Sequence, residues 1–144
     1  MKLFLDTNVL IDFILERPKF YPAAATIISY AAEEKVKICA SSMSIVTTNF
    51  ICVERCDMPL ESFRMKMDFL RDFLEICSVD ESDVYQSYDK EWKDFEDGVQ
   101  YFSAKRNGAD YLVTRNTKDF EENDLKVLDL EDACSLLREF LERK

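Results

Sequence analysis

Histidine is absent from the 144-residue sequence. Its absence excludes Ser-His-Asp and Cys-His catalysis, and it removes the side chain that most often binds transition metals. If the chain is an enzyme, carboxylates acting with a hard cation are therefore the main catalytic groups left to it.

Glycine and proline are scarce, with 2 and 3 residues, so long flexible linkers are not expected. No apolar run approaches the roughly 20 residues that span a bilayer. The amino terminus, MKLFLD, reaches an acid after five residues, which predicts a strand and not a signal peptide. These features predict a single domain over residues 1–144, a cytoplasmic location and no contact with a membrane.

The five cysteines include no CxxC pair and have no histidine beside them, which argues against a zinc site. An odd count predicts free thiols that serve as small buried hydrophobic residues. The net charge of −10 is unfavourable for a protein that binds nucleic acid, because affinity depends on neutralising phosphates. A bound divalent cation would reverse the charge locally, and a basic partner protein would suit such a surface.

Short apolar runs alternate with segments of helical spacing along the chain. The runs at residues 2–6, 36–40, 75–79, 110–114 and 126–128 predict strands. Helices are predicted over residues 23–34, from Ser41 or Ser42 onward, and over residues 60–74, 82–90, 94–106 and 130–142. Such alternation predicts a parallel sheet covered on both faces, whose binding site lies outside the carboxyl ends of the strands.

Polar residues follow the first and fourth predicted strands. Asp6 and Asn8 come after the first strand, and residues 114–119 come after the fourth. Asp94 and Asp97 open the helix that precedes the fourth strand, and their spacing of three places them near one face. Mg²⁺ and Mn²⁺ take oxygen ligands and keep several waters, so a few carboxylates from separate segments suffice.

Each acid also has a purely structural interpretation. Asp6, Asn116 and Asp119 are common turn formers. Asp94, Glu96 and Asp97 suit the amino-terminal end of a helix dipole. Their convergence on one edge of the sheet favours a metal site.

Three segments resemble the PIN-domain family: LDTNVLID at 5–12, DFEDGVQYFSAKRNGADYLVTRN at 94–116 and KDF at 118–120. In that pattern an Asp closes the first strand, an Asp opens a helix, and a T-R-N turn follows the fourth strand. The resemblance implies a three-layer α/β/α Rossmann-like domain with a mostly parallel sheet of four or five strands. It also implies a Mg²⁺- or Mn²⁺-dependent endoribonuclease, often the toxin of a toxin–antitoxin pair.

The resemblance further implies roles for individual residues. By position, Asp6 and Asp97 would be metal ligands, and Asp119 would complete the rim. We add Asp94 as a third ligand and count Asp94 and Asp119 among the catalytic acids. Asn8 would lie next to the metal ligands without binding the metal itself, or its side chain would cap the following helix. The residues expected to complete the rim or to contact substrate are Asn49, Thr114, Arg115 and Asn116. Lys105, Arg106 and Lys118 are further candidates for binding flanking phosphates.

The sequence departs from the family pattern on the helix after the second strand, where a Glu is usual. Asn49 occupies the most probable equivalent position and keeps an oxygen but loses the charge. We expect Asp94 or Glu96 to compensate, which gives an active branch with a rearranged acidic set. The alternative is a weakened nuclease retained for binding nucleic acid or protein.

Two other enzyme classes place an Asp after their first strand. An aspartyl-phosphate phosphohydrolase needs a second Asp two residues on, where this chain has Asn8, and a response-regulator receiver distributes its acids differently. The resemblance to the PIN-domain family is therefore the better interpretation. It implies single-stranded or structured RNA as substrate, a basic antitoxin as partner, and a homodimer, which its members often form.

Overall fold

The computed structural model describes residues 1–143. Lys144, the last residue of the expected domain, lies outside the described residues. One five-stranded sheet has the order β3-β2-β1-β4-β5, and every neighbouring pair is parallel. Its strands are β1 (Lys2–Leu5), β2 (Lys37–Ser41), β3 (Leu74–Cys77), β4 (Tyr111–Val113) and β5 (Lys126–Leu128). The expected parallel α/β architecture is confirmed, with five strands.

Helices connect the strands. They are α1 (Thr7–Ile14), α2 (Tyr21–Ala32), α3 (Ser42–Asn49), α4 (Leu60–Arg71), α5 (Glu81–Asp89), α6 (Phe95–Arg106) and α7 (Leu130–Glu142). A π-helical segment, Phe50–Arg55, continues α3, and a 3₁₀ turn, Thr117–Asp119, follows β4. Pro22 lies in the first turn of α2, earlier than the predicted start, because the first N–H groups of a helix have no intrahelical partner to lose.

The two faces of the sheet carry separate apolar cores, because successive strand residues point to opposite sides. Leu3 and Leu5 belong to the core that includes residues of α1, α2, α4 and α7. Phe4 belongs to the core formed with Trp92 and α6, and α5 packs against α6. The helices therefore form one layer on each side of the sheet.

The cysteine side chains agree in large part with the sequence predictions. All five cysteines are free, and four are buried as expected, whereas Cys56 is exposed. Burial raises the pKa of Cys52 to about 11, so this thiol stays protonated. Gly108 adopts φ 75° after α6, the left-handed conformation that commonly ends a helix. No helix among residues 1–143 combines the length and the apolar character needed to cross a membrane.

The order of the strands determines where a site can form. The chain runs from β1 outward to β2 and β3, then returns to the other side of β1 as β4. The sheet order therefore reverses between β1 and β4, and a crevice opens at their carboxyl ends. The Asp6 N–H donates to the Val113 carbonyl at 2.9 Å, so the residues after β1 and β4 are held side by side.

Candidate active site

Asp6 lies at the centre of this crevice, where its residue is only 4% exposed. Its Oδ1 accepts from the Thr7 N–H at 2.8 Å and from Gln100 Nε2 at 3.3 Å. Its Oδ2 accepts from Thr114 Oγ1 at 2.8 Å and from Asn8 Nδ2 at 3.4 Å. The carboxylate thus caps α1 and is held by four donors from three elements.

Two effects act in opposite directions on the ionisation of Asp6. Burial raises its pKa, because the charged form loses hydration. The hydrogen bonds from Thr114, Thr7 and Gln100 favour the charged form and oppose that rise, while nearby Asp94 adds to it. A positive charge in the crevice would stabilise the ionised carboxylate.

Asp94, Asp97 and Asp119 form an acidic cluster that does not include Asp6, although the charges of Asp94 and Asp97 interact with it. One carboxylate oxygen from each of these three acids lies within 4.8 Å of the others. Asp94 caps α6, where its Oδ1 accepts from the Asp97 N–H at 3.1 Å, and Asp119 ends the 3₁₀ turn after β4. Asp94 and Asp119 are exposed, and Asp97 is half-buried. Of the acids expected to compensate at Asn49, the structure brings Asp94 into this cluster and leaves Glu96 outside it.

The pKa of Asp97 lies well above that of an ordinary aspartate. Its pKa is raised to about 8, first by burial and then by the charges of Asp6, Asp94, Asp119 and Glu96. Like charges at this spacing repel each other, and no Lys or Arg is paired with Asp97 among residues 1–143. Such a group of oxygen donors suits a small divalent cation.

Asn8 and Thr114 form the frame of the crevice. Asn8 Nδ2 donates to Thr114 Oγ1 at 3.2 Å, and Asn8 Oδ1 accepts from the Arg115 N–H at 3.2 Å. Thr114 Oγ1 also accepts from the N–H of exposed Asn116 at 3.2 Å. Asn8 therefore ties the end of β1 to the turn after β4, and Asp6, not Asn8, caps α1.

Arg115 was expected to contact phosphate, but its side chain is engaged inside the protein. Its Nε lies 3.0 Å from Oδ2 of Asp12, which is completely buried in α1. Its guanidinium lies over the Phe20 ring at 4.5 Å. Burial raises the pKa of Asp12, and the cations Arg115 and Arg17 oppose that rise. In this geometry Arg115 joins the turn after β4 to α1.

Three further residues were predicted to belong to the site: Asn49, Lys105 and Arg106. Asn49 is half-buried at the last position of α3, while Ser44 of the same helix reaches the crevice. Lys105 pairs with Asp124, and Arg106 pairs with Asp83. Both cations are at the far end of α6, about 13 Å along the helix axis from Asp97. The structure does not bring Lys105 and Arg106 to the acidic cluster.

A shallow cleft of about 280 Å³ adjoins the cluster. Its lining residues are Lys93, Asp94, Lys118, Asp119 and Glu121. The two lysines bring positive charge next to the acids, as a site for a phosphodiester requires. Lys118 was a candidate from sequence, and Lys93 was not.

The sequence interpretation missed a set of buried polar residues behind Asp6. Gln100 contacts Ser41, Ser44 and Thr7 as well as Asp6. One signal was present: Gln100 interrupts the mostly apolar stretch of α6 and stands three residues after Asp97, on the same helix face.

Comparisons with known proteins agree with this geometry. The model of the PIN domain matches residues 2–118. Ribonuclease VapC1 of Aquifex aeolicus (strain VF5) is 29% identical over 138 residues, covering 92% of this chain and 93% of that protein.

Two solved structures share the fold. VapBC2 from Rickettsia felis, bound to a DNA fragment from its promoter, gives a TM-score of 0.68 at 20% identity and covers 90% of this chain and 98% of the matched chain. A toxin–antitoxin complex from Klebsiella pneumoniae gives a TM-score of 0.64 at 20% identity, covering 89% and 97%. The family model matches most of the sequence, and this match explains both the strand order and the acids of the crevice. The chain belongs to the PIN-domain family.

Proposed function

We propose that this chain is a Mg²⁺- or Mn²⁺-dependent endoribonuclease that hydrolyses phosphodiester bonds of single-stranded or structured RNA, and that it acts as the toxin of a toxin–antitoxin pair. The observation that carries the proposal is the convergence of Asp94, Asp97 and Asp119 within 4.8 Å, close enough to buried Asp6 for their charges to interact with it. The ribonuclease relative in Aquifex aeolicus supports the same activity.

The residues present fit a hard divalent cation. The cluster offers carboxylate oxygens and no sulfur or imidazole ligand, which matches the preference of Mg²⁺ and Mn²⁺. The raised pKa of Asp97 has the same implication, because burial and the neighbouring acids disfavour its charged form unless a cation is bound. Asp97, Asp94 and Asp119 would hold the ion, and Asp6 would join them by exchanging its longest hydrogen bond, the one of 3.4 Å from Asn8 to Oδ2.

A bound cation would supply an activated water and would offset charge on the scissile phosphate. Residues of this chain orient the groups that such a reaction needs. Thr114 and the Thr7 N–H orient the Asp6 carboxylate, and Asn8 keeps the turn after β4 next to it. Lys93 and Lys118 would bind phosphates on either side of the cleavage point.

A basic antitoxin is the proposed partner. The net charge of −10 would favour a basic protein, and the structural neighbour from Klebsiella pneumoniae is a toxin–antitoxin complex. A homodimer is proposed as well, because large apolar side chains such as Val46, Phe50 and Tyr88 are exposed on the segments around the site. Sedimentation velocity would measure the dimer directly.

The test of the proposed activity is Asp97→Asn. We expect it to lower Mn²⁺-dependent cleavage of a single-stranded RNA at least 100-fold, because it removes one charged ligand from the cluster, and to leave the fold intact by circular dichroism. Asp68→Asn is the matched control, because Asp68 is an exposed acid on α4.

The possible results separate the two candidate functions. Equal cleavage rates in Asp97→Asn and the parent would refute the site assignment. A parent that binds RNA or a partner protein but cleaves no RNA with Mg²⁺ or Mn²⁺ would favour the weakened binding module, consistent with Asn49 in place of the usual acid.

A further inference from the structure

Gln100 is a fully buried polar side chain that contacts Asp6. It lies on α6 one turn after Asp97, and its residue is 0% exposed. The neighbouring residues of α6, Val99, Tyr101 and Phe102, are buried and apolar. Burying a carboxamide in such a place is costly unless its hydrogen bonds are made. The partners of this amide therefore indicate why a polar residue stands here.

All the partners of the amide come from the carboxyl ends of β1 and β2. Gln100 Nε2 donates to Asp6 Oδ1 at 3.3 Å and to Thr7 Oγ1 at 3.1 Å, and it also contacts Ser44 Oγ. Gln100 Oε1 accepts from Ser41 Oγ at 2.6 Å. A carboxylate only accepts hydrogen bonds, so Asp6 determines that the NH₂ group, and not the oxygen, faces it.

The hydroxyls form a second link between the same elements. Thr7 Oγ1 lies 2.8 Å from Ser44 Oγ, and Ser41 caps α3 by accepting from the Ser44 N–H at 3.0 Å. Gln100 is the member of α6 in this network. It connects the helix that carries Asp97 to the two strand ends that border the crevice.

We propose that Gln100 is a positioning residue for the metal site: it holds Asp6 Oδ1 and sets the separation between Asp6 and the acids at the start of α6. The inference rests on the proposed function, because it assumes that these acids bind a divalent cation. Outer hydrogen-bond partners of metal-binding carboxylates and imidazoles typically change metal affinity about 10- to 100-fold when removed.

The experiment compares Gln100→Met with the parent. Methionine has nearly the same length but cannot donate to Asp6. Mn²⁺ affinity is measured by calorimetry or by the electron paramagnetic resonance of free Mn²⁺, at least 10 °C below the unfolding transition of each protein. Thermal unfolding in EDTA is recorded in parallel. The matched control is Ser103→Ala, because Ser103 is also fully buried on α6 but donates to the Ser78 carbonyl, away from the acids.

We expect Gln100→Met to weaken Mn²⁺ binding at least tenfold and Ser103→Ala to change it less than twofold. If Gln100→Met binds Mn²⁺ as tightly as the parent, the inference is overturned, whatever happens to its unfolding temperature. A parent that binds no Mn²⁺ at millimolar concentration would instead refute the proposed function itself.

A second variant keeps the test decisive if Gln100→Met does not fold. Ser41→Ala removes the hydroxyl that donates to Gln100 Oε1 and leaves the amide in place. We expect about a threefold loss of Mn²⁺ affinity in this variant, in addition to the lower stability that follows from losing a helix cap. Unchanged Mn²⁺ affinity in folded Ser41→Ala would also overturn the inference.

Discussion

The Thr114 hydroxyl donates a hydrogen bond to Asp6 Oδ2 over 2.8 Å, across the point where the order of the strands reverses. Both residues are buried, and they are separated by 108 positions in the chain. The bond has two consequences: it joins the ends of β1 and β4, and it favours the charged form of Asp6.

Replacing Thr114 with valine keeps the shape of the side chain and removes this donor. We expect the free energy of unfolding to fall by about 1–3 kcal/mol, because a buried acceptor is left with fewer partners. Urea denaturation of both proteins measures the change. Thr26→Val is the control, since the Thr26 hydroxyl bonds the Pro22 carbonyl in an exposed setting. Equal losses in the two variants would contradict the prediction.

Asp97 should make the metal-free protein less stable as the pH rises. Its pKa is about 8 in the folded protein, against about 4 for an ordinary aspartate. The folded state therefore binds more protons than the unfolded state between pH 4 and 8, and its stability decreases through that window. In EDTA at pH 8.5, Asp97→Asn should raise the unfolding temperature by about 2–4 °C, which corresponds to about 1 kcal/mol.

The same variant should bring little gain at pH 4, where Asp97 is protonated in the folded protein. Unfolding curves for the parent and the variant at both pH values test this. If the stability difference between variant and parent does not grow with pH, the acids around Asp97 do not destabilise the folded parent.

The ion pair between Arg115 and Asp12 allows a test of whether Arg115 is structural or binds substrate. Arg115→Met leaves the buried Asp12 carboxylate with only the more distant Arg17, at 3.6 Å, and should cost about 3 kcal/mol. Asp12→Asn added to Arg115→Met should recover part of that loss, because the unpaired charge is then gone. A double-mutant cycle in urea measures the coupling. If Arg115→Met raises KM for RNA without lowering stability, Arg115 binds phosphate as first expected.

Gly98 allows α6 to approach the segment that carries Ser87 and Trp92. A Cβ at Gly98 would lie 2.1 Å from Ser87 Oγ and 2.8 Å from Trp92 Cγ. Gly98→Ala should therefore lower stability by about 1–3 kcal/mol, although alanine is the better helix former. Gly108→Ala is the control, because no atom lies within 4 Å of its added Cβ and only its φ of +75° is unfavourable. Adding Ser87→Gly to Gly98→Ala should restore part of the loss.

Much of the fold was predictable because it depends on local patterns. The predicted bounds of β5 and α7 agree with the structure, since a short apolar run and strict helical spacing define them. The predicted end of α4 was too late. Leu74 continues the apolar spacing of that helix, but pairing with Ile38 of β2 places it in β3. Spacing alone does not distinguish the last turn of a helix from a strand that begins directly after it.

The site was predictable to a smaller degree. Asp6 and the acids that open α6 stood out, because they follow a strand or begin a helix. Gln100 and Ser44 did not. Gln100 interrupts an apolar stretch of α6, but that signal alone does not show that its amide binds a carboxylate distant in the chain. Arg115 was assigned to phosphate from its position in the T-R-N turn, and its partner Asp12, 103 positions away, is visible only in the folded chain.

The sequence by itself determined the alternation of strands and helices, the lack of histidine chemistry and the positions of the acids relative to the strand ends. These properties follow from composition and from periods of two and 3.6 residues, which act over short segments. Only the tertiary structure decided that Asp94 and Asp119 meet Asp97, that Asp6 and Glu96 are not part of that cluster, and that Gln100 connects α6 to Asp6. Those distances depend on how the helices pack on the sheet, a sum of many weak long-range contacts that no short segment encodes.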